Sequence, residues 1–332
     1  MSQFEEVGPA KPITESIRVD KVSPRARVFH NLRALAVLVM AIVGLIPIFV
    51  MIVTAFKTRS DVVSDPPKIL FNPTLEGFVY LFTERALLPQ ARLEEAQANA
   101  EDLGLFGRIA LESGQEITAP SDYVNRLKNS LIVAGVSTVT SVVLGLFAAY
   151  AFSRFDVKGK DDLLFFILST RMLPAVVVTI PIFLLYRQLG LHDTYLGMIL
   201  LYTAFNLSFS VWLLKGFIDE IPREYEEAAL VDGYTRLQAF FKIVLPQAVT
   251  GIAATTVFCL IFAWNEYAFA LMLTSDQART APPSIATMLG RGGIEWSAIA
   301  AGSLGFLIPV VIITFALRNY LLRGVTFGAI RQ

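Results

Sequence analysis

Residues 227–246 read EAALVDGYTRLQAFFKIVLP, a stretch that starts polar and lies between two long apolar runs. Pro222 stands just before it and can open a helix, because a first turn leaves that N–H unbonded in any case. Glu224, Glu226 and Glu227 follow in the first turns, where the helix dipole favours negative charge. Gly233 then admits a sharp turn at positive φ. Beyond it Leu237, Phe240, Phe241 and Val244 recur at helical spacing, and Pro246 closes the segment. The pattern predicts a helix, a glycine turn and a second helix lying across one face of a membrane. The plainer alternative is an ordinary loop between two spans.

The flanking sequence makes the membrane unavoidable. Of 332 residues, 55% are apolar and only 17% charged. Six apolar runs approach the roughly 20 residues that cross a bilayer. They are 34–56, 127–152, 163–186, 194–217, 247–273 and 297–322. The expected fold is all-α and polytopic, with six transmembrane helices embedded in lipid. Residues 1–33 read as an irregular cytoplasmic tail and 57–126 as a long external segment. The core is expected over 127–322, with the central loop at 218–246, and a short tail over 323–332. Pro47, Pro174 and Pro181 fall inside predicted spans, where neighbouring groups can satisfy a freed carbonyl. Gly145 and the alanines around it in the second run suit close helix packing.

Orientation follows from basic residues in the short loops. Arg154, Lys158, Lys160, Arg223, Arg236 and Lys242 fall on one side; Arg187, Arg279 and Arg291 fall on the other. Together with Lys21, Arg25, Arg27 and Arg33 ahead of the first run, they place both termini and the central loop in the cytoplasm. The first apolar run begins too late and runs too long for a signal peptide. Within the external segment, 87–111 favours helix but is too charged to span. It reads either as a solvated insertion or as a cap that meets an external protein.

Several function classes drop out. Lysine plus arginine and aspartate plus glutamate each number 28, so net charge gives no case for nucleic acid. Cys259 is the only cysteine and lies in an apolar run, which excludes an internal disulfide. No Walker A sequence is present, so ATP and its Mg²⁺ would have to sit on another subunit, and no cofactor is expected in this chain. No nucleophile stands near a histidine base, so an enzyme is not expected.

The spacing Glu227-Ala228-Ala229, three residues, Gly233, nine residues, Ile243-x-Leu245-Pro246 resembles the cytoplasmic loop of bacterial ABC importer permeases. Arg171-Met-Leu-Pro174, Gly190-Leu-His-Asp-Thr194, Trp264-Asn265-Glu266 and Arg323-Gly-Val-Thr-Phe-Gly-Ala329 extend the likeness from about residue 125 to the C-terminus. In detail it is similar to the carbohydrate-uptake branch, near the smaller permease subunit of the maltose system. The chain departs from many of those relatives at Asn206-Leu-Ser-Phe209, in its final Ile-Arg-Gln and in its longer external segment.

The resemblance implies a multi-pass protein of the bacterial inner membrane. It also implies a second permease, making a heterodimer, with two ATPase subunits, a periplasmic substrate-binding protein and a sugar substrate. In that family the loop is a coupling helix that docks in a cleft of the ATPase. Carried over residue by residue, Glu227, Ala228, Ala229, Asp232 and Gly233 would couple to the ATPase. Polar groups inside spans usually face a cavity or a partner. Arg171, Asn206, Ser208, Trp264, Asn265, Glu266 and Tyr267 are therefore candidates for a substrate path or gate. Packing and interhelical bonding are the competing roles, strongest for Arg171 near a span end. The other readings are a permease of the same family for a non-sugar solute, or an ion-driven secondary transporter. The latter would need a paired mid-membrane acidic site and internal repeats; only Glu266 offers a mid-span carboxylate, and no repeat is visible.

Overall fold

The computed structural model describes residues 24–98, 103–290 and 293–327. Contacts divide the chain into two units, 1–50 and 51–332. The first unit carries most of helix α1 (Pro24–Ala55), which starts ten residues earlier than the apolar run alone predicts. Pro24 at the first helical position suits that start. The remainder of the expected N-terminal tail, 1–23, lies outside the described residues.

In the second unit the segment expected to be external, 57–126, is more structured than its sequence suggests. Short helices α2 (Arg59–Val62) and α3 (Glu76–Phe82) lead into strand β1 (Thr83–Leu87). Helices α4 (Gln90–Ala98) and α5 (Leu105–Glu112) follow, then strand β2 (Gln115–Pro120), which pairs antiparallel with β1. The helix expected over 87–111 is thus two helices enclosed by a strand pair. The pairing joins residues about thirty apart in a segment with no clear period-two pattern, so local reading could not find it.

Among the described residues, four helices are long and apolar enough to span: Phe29–Ala55, Tyr123–Arg154, Tyr195–Asp219 and Trp296–Arg318. The second to fourth belong to α6 (Tyr123–Arg154), α9 (Tyr195–Asp219) and α16 (Trp296–Phe327). Two bent pairs bring the total to as many as six. One joins α7 (Lys160–Ser169), with a 3₁₀ turn over Thr170–Met172, to α8 (Ala175–Leu189) at 93°. The third span is therefore not one straight helix. Leu173 is extended, as the residue before a proline prefers, and Pro174 is the N-cap of α8, where its missing N–H costs the helix no bond. Pro181, also flagged in the sequence, lies inside α8 without ending it.

The central loop holds α10 (Glu224–Val231) and α11 (Arg236–Ala239), then a π-helical turn over Phe240–Val244 and α12 (Leu245–Gln247). A 73° bend leads into α13 (Val249–Trp264). The fifth span, read as continuous over 247–273, is broken at 265–267 before α14 (Ala268–Leu273). The loop expected to be external, 274–296, holds α15 (Ala281–Ala286) and a small hairpin of β3 (Leu289–Gly290) and β4 (Gly293–Ile294). α16 runs on to Phe327 through much of the expected tail; 328–332 lie outside the described residues.

α6 and α9 form the most intimate pair. A Cβ on Gly145 would sit 2.5 Å from the Ser210 Cβ, so only glycine permits this approach. One buried cluster joins α6, α8, α9, α13 and α14 through Val133, Tyr186, Met198, Tyr202, Trp264 and Phe269. A second lies under the central loop, where Phe240 and Val244 pack with Leu146, Tyr150, Leu214 and Ile218.

On the opposite side, Asp193 joins the α8–α9 turn to the chain after α14. At φ 55°, it accepts backbone N–H groups from Ser275 (3.1 Å), Asp276 (3.0 Å), Gln277 (3.0 Å) and Ala278 (3.1 Å). Burial would raise its carboxyl pKa, but the four donors outweigh that and hold it below the ordinary value. A depressed pKa stabilises above the unfolded value and loses that contribution as pH falls through the folded one. Asp193→Asn should therefore cost roughly 2–3 kcal/mol at neutral pH. In thermal unfolding of the solubilised protein, the gap to wild type should close below about pH 4.

Candidate functional site

The central loop presents a defined face. α10 ends in a Schellman motif: Tyr234 N–H donates to the Ala229 carbonyl at 3.0 Å and Gly233 N–H to that of Leu230 at 3.1 Å. Gly233 takes φ 88°, and no atom lies within 4 Å of where its Cβ would be. It is needed for conformation, not for space within this chain. Thr235 and Gln238 then form a capping box that starts α11. That T-x-x-Q signal stands in the sequence, and the reading above passed over it.

The loop's outer face is exposed. Glu227, Ala228 and Asp232 lie on it, whereas Ala229 packs inward at 4% exposure. Val231 and Leu237 are 88% and 63% exposed, with Tyr225 and Phe241 also open. Of the four apolar residues expected to line one helical face, Phe240 and Val244 are buried while Leu237 and Phe241 are not. The π turn changes the register, so one stripe becomes an inner anchor and an outer patch.

Glu226, the residue just before the quoted stretch, has the opposite environment to Glu227. It is buried and ion-pairs with Arg154 at the end of α6, both side chains under a tenth exposed. Tyr150 Oη donates to its other carboxylate oxygen at 2.9 Å. Arg154 also donates to the Ile221 carbonyl at 2.9 Å, and Arg223 to that of Ser153 at 2.7 Å. Ser153 in turn donates to Asp219 at 2.5 Å. The loop is thus tied to the inner ends of α6 and α9. Sequence reading missed Tyr150 and Arg154, because nothing local marks a charge pair formed across 72 residues.

The seven residues proposed for a path or gate separate into two groups. Arg171, Asn206 and Glu266 line one mid-molecule cavity of about 170 Å³, with Tyr202, Phe205 and Phe262 among its walls. Arg171 donates to the Phe205 carbonyl at 2.8 Å and lies 4.3 Å above the Phe262 ring. Asn206 Nδ2 donates to the Cys259 carbonyl at 3.1 Å, tying α9 to α13. Glu266 accepts from Tyr202 Oη (2.8 Å) and from the N–H groups of Phe269 (2.8 Å) and Ala270 (3.0 Å), so it starts α14. At that volume, below the roughly 300–1,000 Å³ of small-molecule pockets, this chain alone does not enclose a sugar there.

The other four point elsewhere. Trp264 is 2% exposed, stacked 4.7 Å from Phe306, and donates to the Phe306 carbonyl at 3.2 Å. Ser208 is buried and bonds its own helix at Phe205. Asn265 and Tyr267 are exposed at the break between α13 and α14, with the Asn265 amide bonded to the Ile261 carbonyl at 2.8 Å. Among the described residues, no group of three or more His, Cys, Asp or Glu could hold a metal ion.

Apolar helical passages, two of them bent, around an exposed helix–turn–helix braced from within define a membrane-embedded transport subunit. The chain belongs to the family described as binding-protein-dependent transport system inner membrane component, whose model matches residues 141–327. It is 30% identical to the trehalose/maltose transport system permease protein MalG of Thermococcus litoralis, over 89% of this chain and 94% of that one. It is 37% identical to the trehalose transport system permease protein SugB of Mycobacterium tuberculosis, over 63% of this chain and 77% of that one. The fold is similar to a chain in a bacterial ABC transporter that imports the acidic polysaccharide alginate. That likeness has a TM-score of 0.63 at 21% identity, covering 90% of this chain and 98% of that one.

Proposed function

We propose that this chain is the permease subunit of an ATP-binding-cassette importer for a sugar or sugar derivative. It forms half of the translocation path, and a second, different permease forms the other half. Two ATPase subunits hold the nucleotide and Mg²⁺ in the cytoplasm, and a periplasmic binding protein delivers the substrate. Both termini are cytoplasmic.

The observation that carries this reading is the central loop. Its acidic and apolar outer face is exposed while Glu226, Phe240 and Val244 anchor its inner face. Such a rigid element can pass displacement from a docked ATPase to α6 and α9. Glu227 and Asp232 present charge to the docking cleft, Ala228 allows close approach, and Gly233 sets the turn. The named substrates of the two sugar permeases support a saccharide. Arg171, Asn206 and Glu266 then act at the mid-membrane constriction, which is completed by the second permease.

Purification of the chain from its native membrane with whatever ATPase, permease and binding protein accompany it, followed by reconstitution in vesicles, tests the reading. Uptake of maltose or trehalose is expected to require both ATP and the binding protein. Uptake driven by an ion gradient without ATP would overturn it. ATP-dependent uptake of a non-sugar solute alone would keep the importer and discard the sugar.

A further inference from the structure

A polar cavity of about 520 Å³ lies at the external segment, bounded by α3, β1, β2, the first turns of α6, α15 and the start of α16. Its size is within the range of small-molecule sites. The mid-membrane constriction described above shares none of its residues.

Two charged groups there are incompletely satisfied. Glu295 is 5% exposed; its Oε1 accepts from Arg59 Nη1 at 3.1 Å, but Oε2 has no partner among the described residues. Arg85 Nε and Nη1 likewise have none. Leaving buried charged groups unpaired is costly, so such an arrangement points to a ligand or to water.

The register of the strand pair shifts between Glu84 and Arg85, leaving Thr118 of β2 without an opposite residue, and both Glu84 and Arg85 line the cavity. The Arg85 guanidinium lies 3.3 Å over the Tyr80 ring, which fixes its plane. Gln115 on β2 and Tyr123 on α6 add an amide and an aromatic edge to the wall.

Most of the wall's charge is already compensated. Arg126 pairs with Asp122 and Asp276, and Glu295 pairs through Oε1 with Arg59, so what stays open is a set of donors on Arg85 and one acceptor, Glu295 Oε2. A neutral solute with adjacent hydroxyls satisfies both orphan groups, accepting from Arg85 and donating to Glu295.

We propose that this cavity is an external subsite for a neutral polyhydroxylated solute, a saccharide, ahead of the membrane path. This rests on the saccharide reading above. The full-length chain in nanodiscs, without its binding protein, would be dialysed against radiolabelled maltose and trehalose. Saturable binding of at least one is expected, weakened about tenfold by Arg85→Met and by Gln115→Leu. Both variants are checked for a wild-type gel-filtration profile, so that if Arg85→Met fails to fold, Gln115→Leu decides.

Absence of saturable binding to wild type, as for a cavity that holds only water, overturns the subsite. So does binding that survives both variants but is lost in Arg171→Met, which would put the sugar at the constriction. ATP-driven uptake by the assembled transporter, measured in parallel, shows whether the saccharide reading stands when the subsite fails.

Discussion

Replacing Glu226 by alanine is expected to abolish ATP-driven uptake and to destabilise the solubilised protein by about 3–5 kcal/mol. The reason is the partner left behind. Arg154 is almost fully buried, and Glu226 is the carboxylate that compensates its charge. Removing the glutamate leaves a guanidinium without solvent or counter-charge, and a Tyr150 hydroxyl without its acceptor. The same bond holds α10 against α6, so the coupling segment loses its attachment to the helices it must move. Removing both charges should be milder for stability than removing either. The double variant Glu226→Ala, Arg154→Met is expected to recover most of the lost thermal stability, while transport stays impaired. Equal or greater destabilisation in the double variant would show that the pair is not acting as a unit.

Gly233→Asp is expected to stop transport while leaving expression and membrane insertion near wild type. Gly233 sits at φ 88°, where a side chain costs about 1–2 kcal/mol, and aspartate is among the residues that tolerate it best. Strain alone therefore predicts a modest loss of stability. The larger effect comes from outside the chain. The space around the missing Cβ is open, and the proposed docking puts the partner subunit there. A carboxylate there adds bulk and a further negative charge beside Asp232. Gly233→Ala, which carries the strain without the charge, should keep a measurable fraction of uptake. Comparing the two by uptake and by the amount of ATPase retained on purification separates backbone strain from blocked docking. Full activity of Gly233→Asp would remove the coupling assignment.

The central loop was the most legible part of the chain, because its signals are local. A proline before the helix, acidic residues in its first turn and a glycine at its end each act within a turn of the backbone. Gly145 was readable for a similar reason, since small residues inside an apolar run have few other uses. The break at Pro174 was half-visible: Pro47, Pro174, Pro181 and Pro309 all fall in the expected spans, and the sequence does not say which of them bends a helix. The break at 265–267 was hidden, because Trp264 through Tyr267 contain no proline or glycine. There Glu266 caps α14, and the cap shows only once the fold is known. The β1–β2 pair and the Glu226–Arg154 pair were invisible because both join residues far apart in the chain. The seven candidate residues were read for a path or gate, with packing and interhelical bonding as the competing roles. Three of them share a cavity, and Trp264 is engaged in packing with Phe306.

The docking of the α10–Gly233–α11 face on an ATPase is the central claim, and one cross-linking measurement tests it most directly. Val231 is 88% exposed at the end of α10, and Cys259 is buried, so Val231→Cys places a single accessible thiol at the claimed contact. Treating native membranes with a short thiol-to-amine cross-linker should give one major adduct, of this chain with an ATP-binding subunit, and its yield should change when ATP is added. An adduct with no ATP-binding subunit, from a variant that still transports normally, would contradict the account.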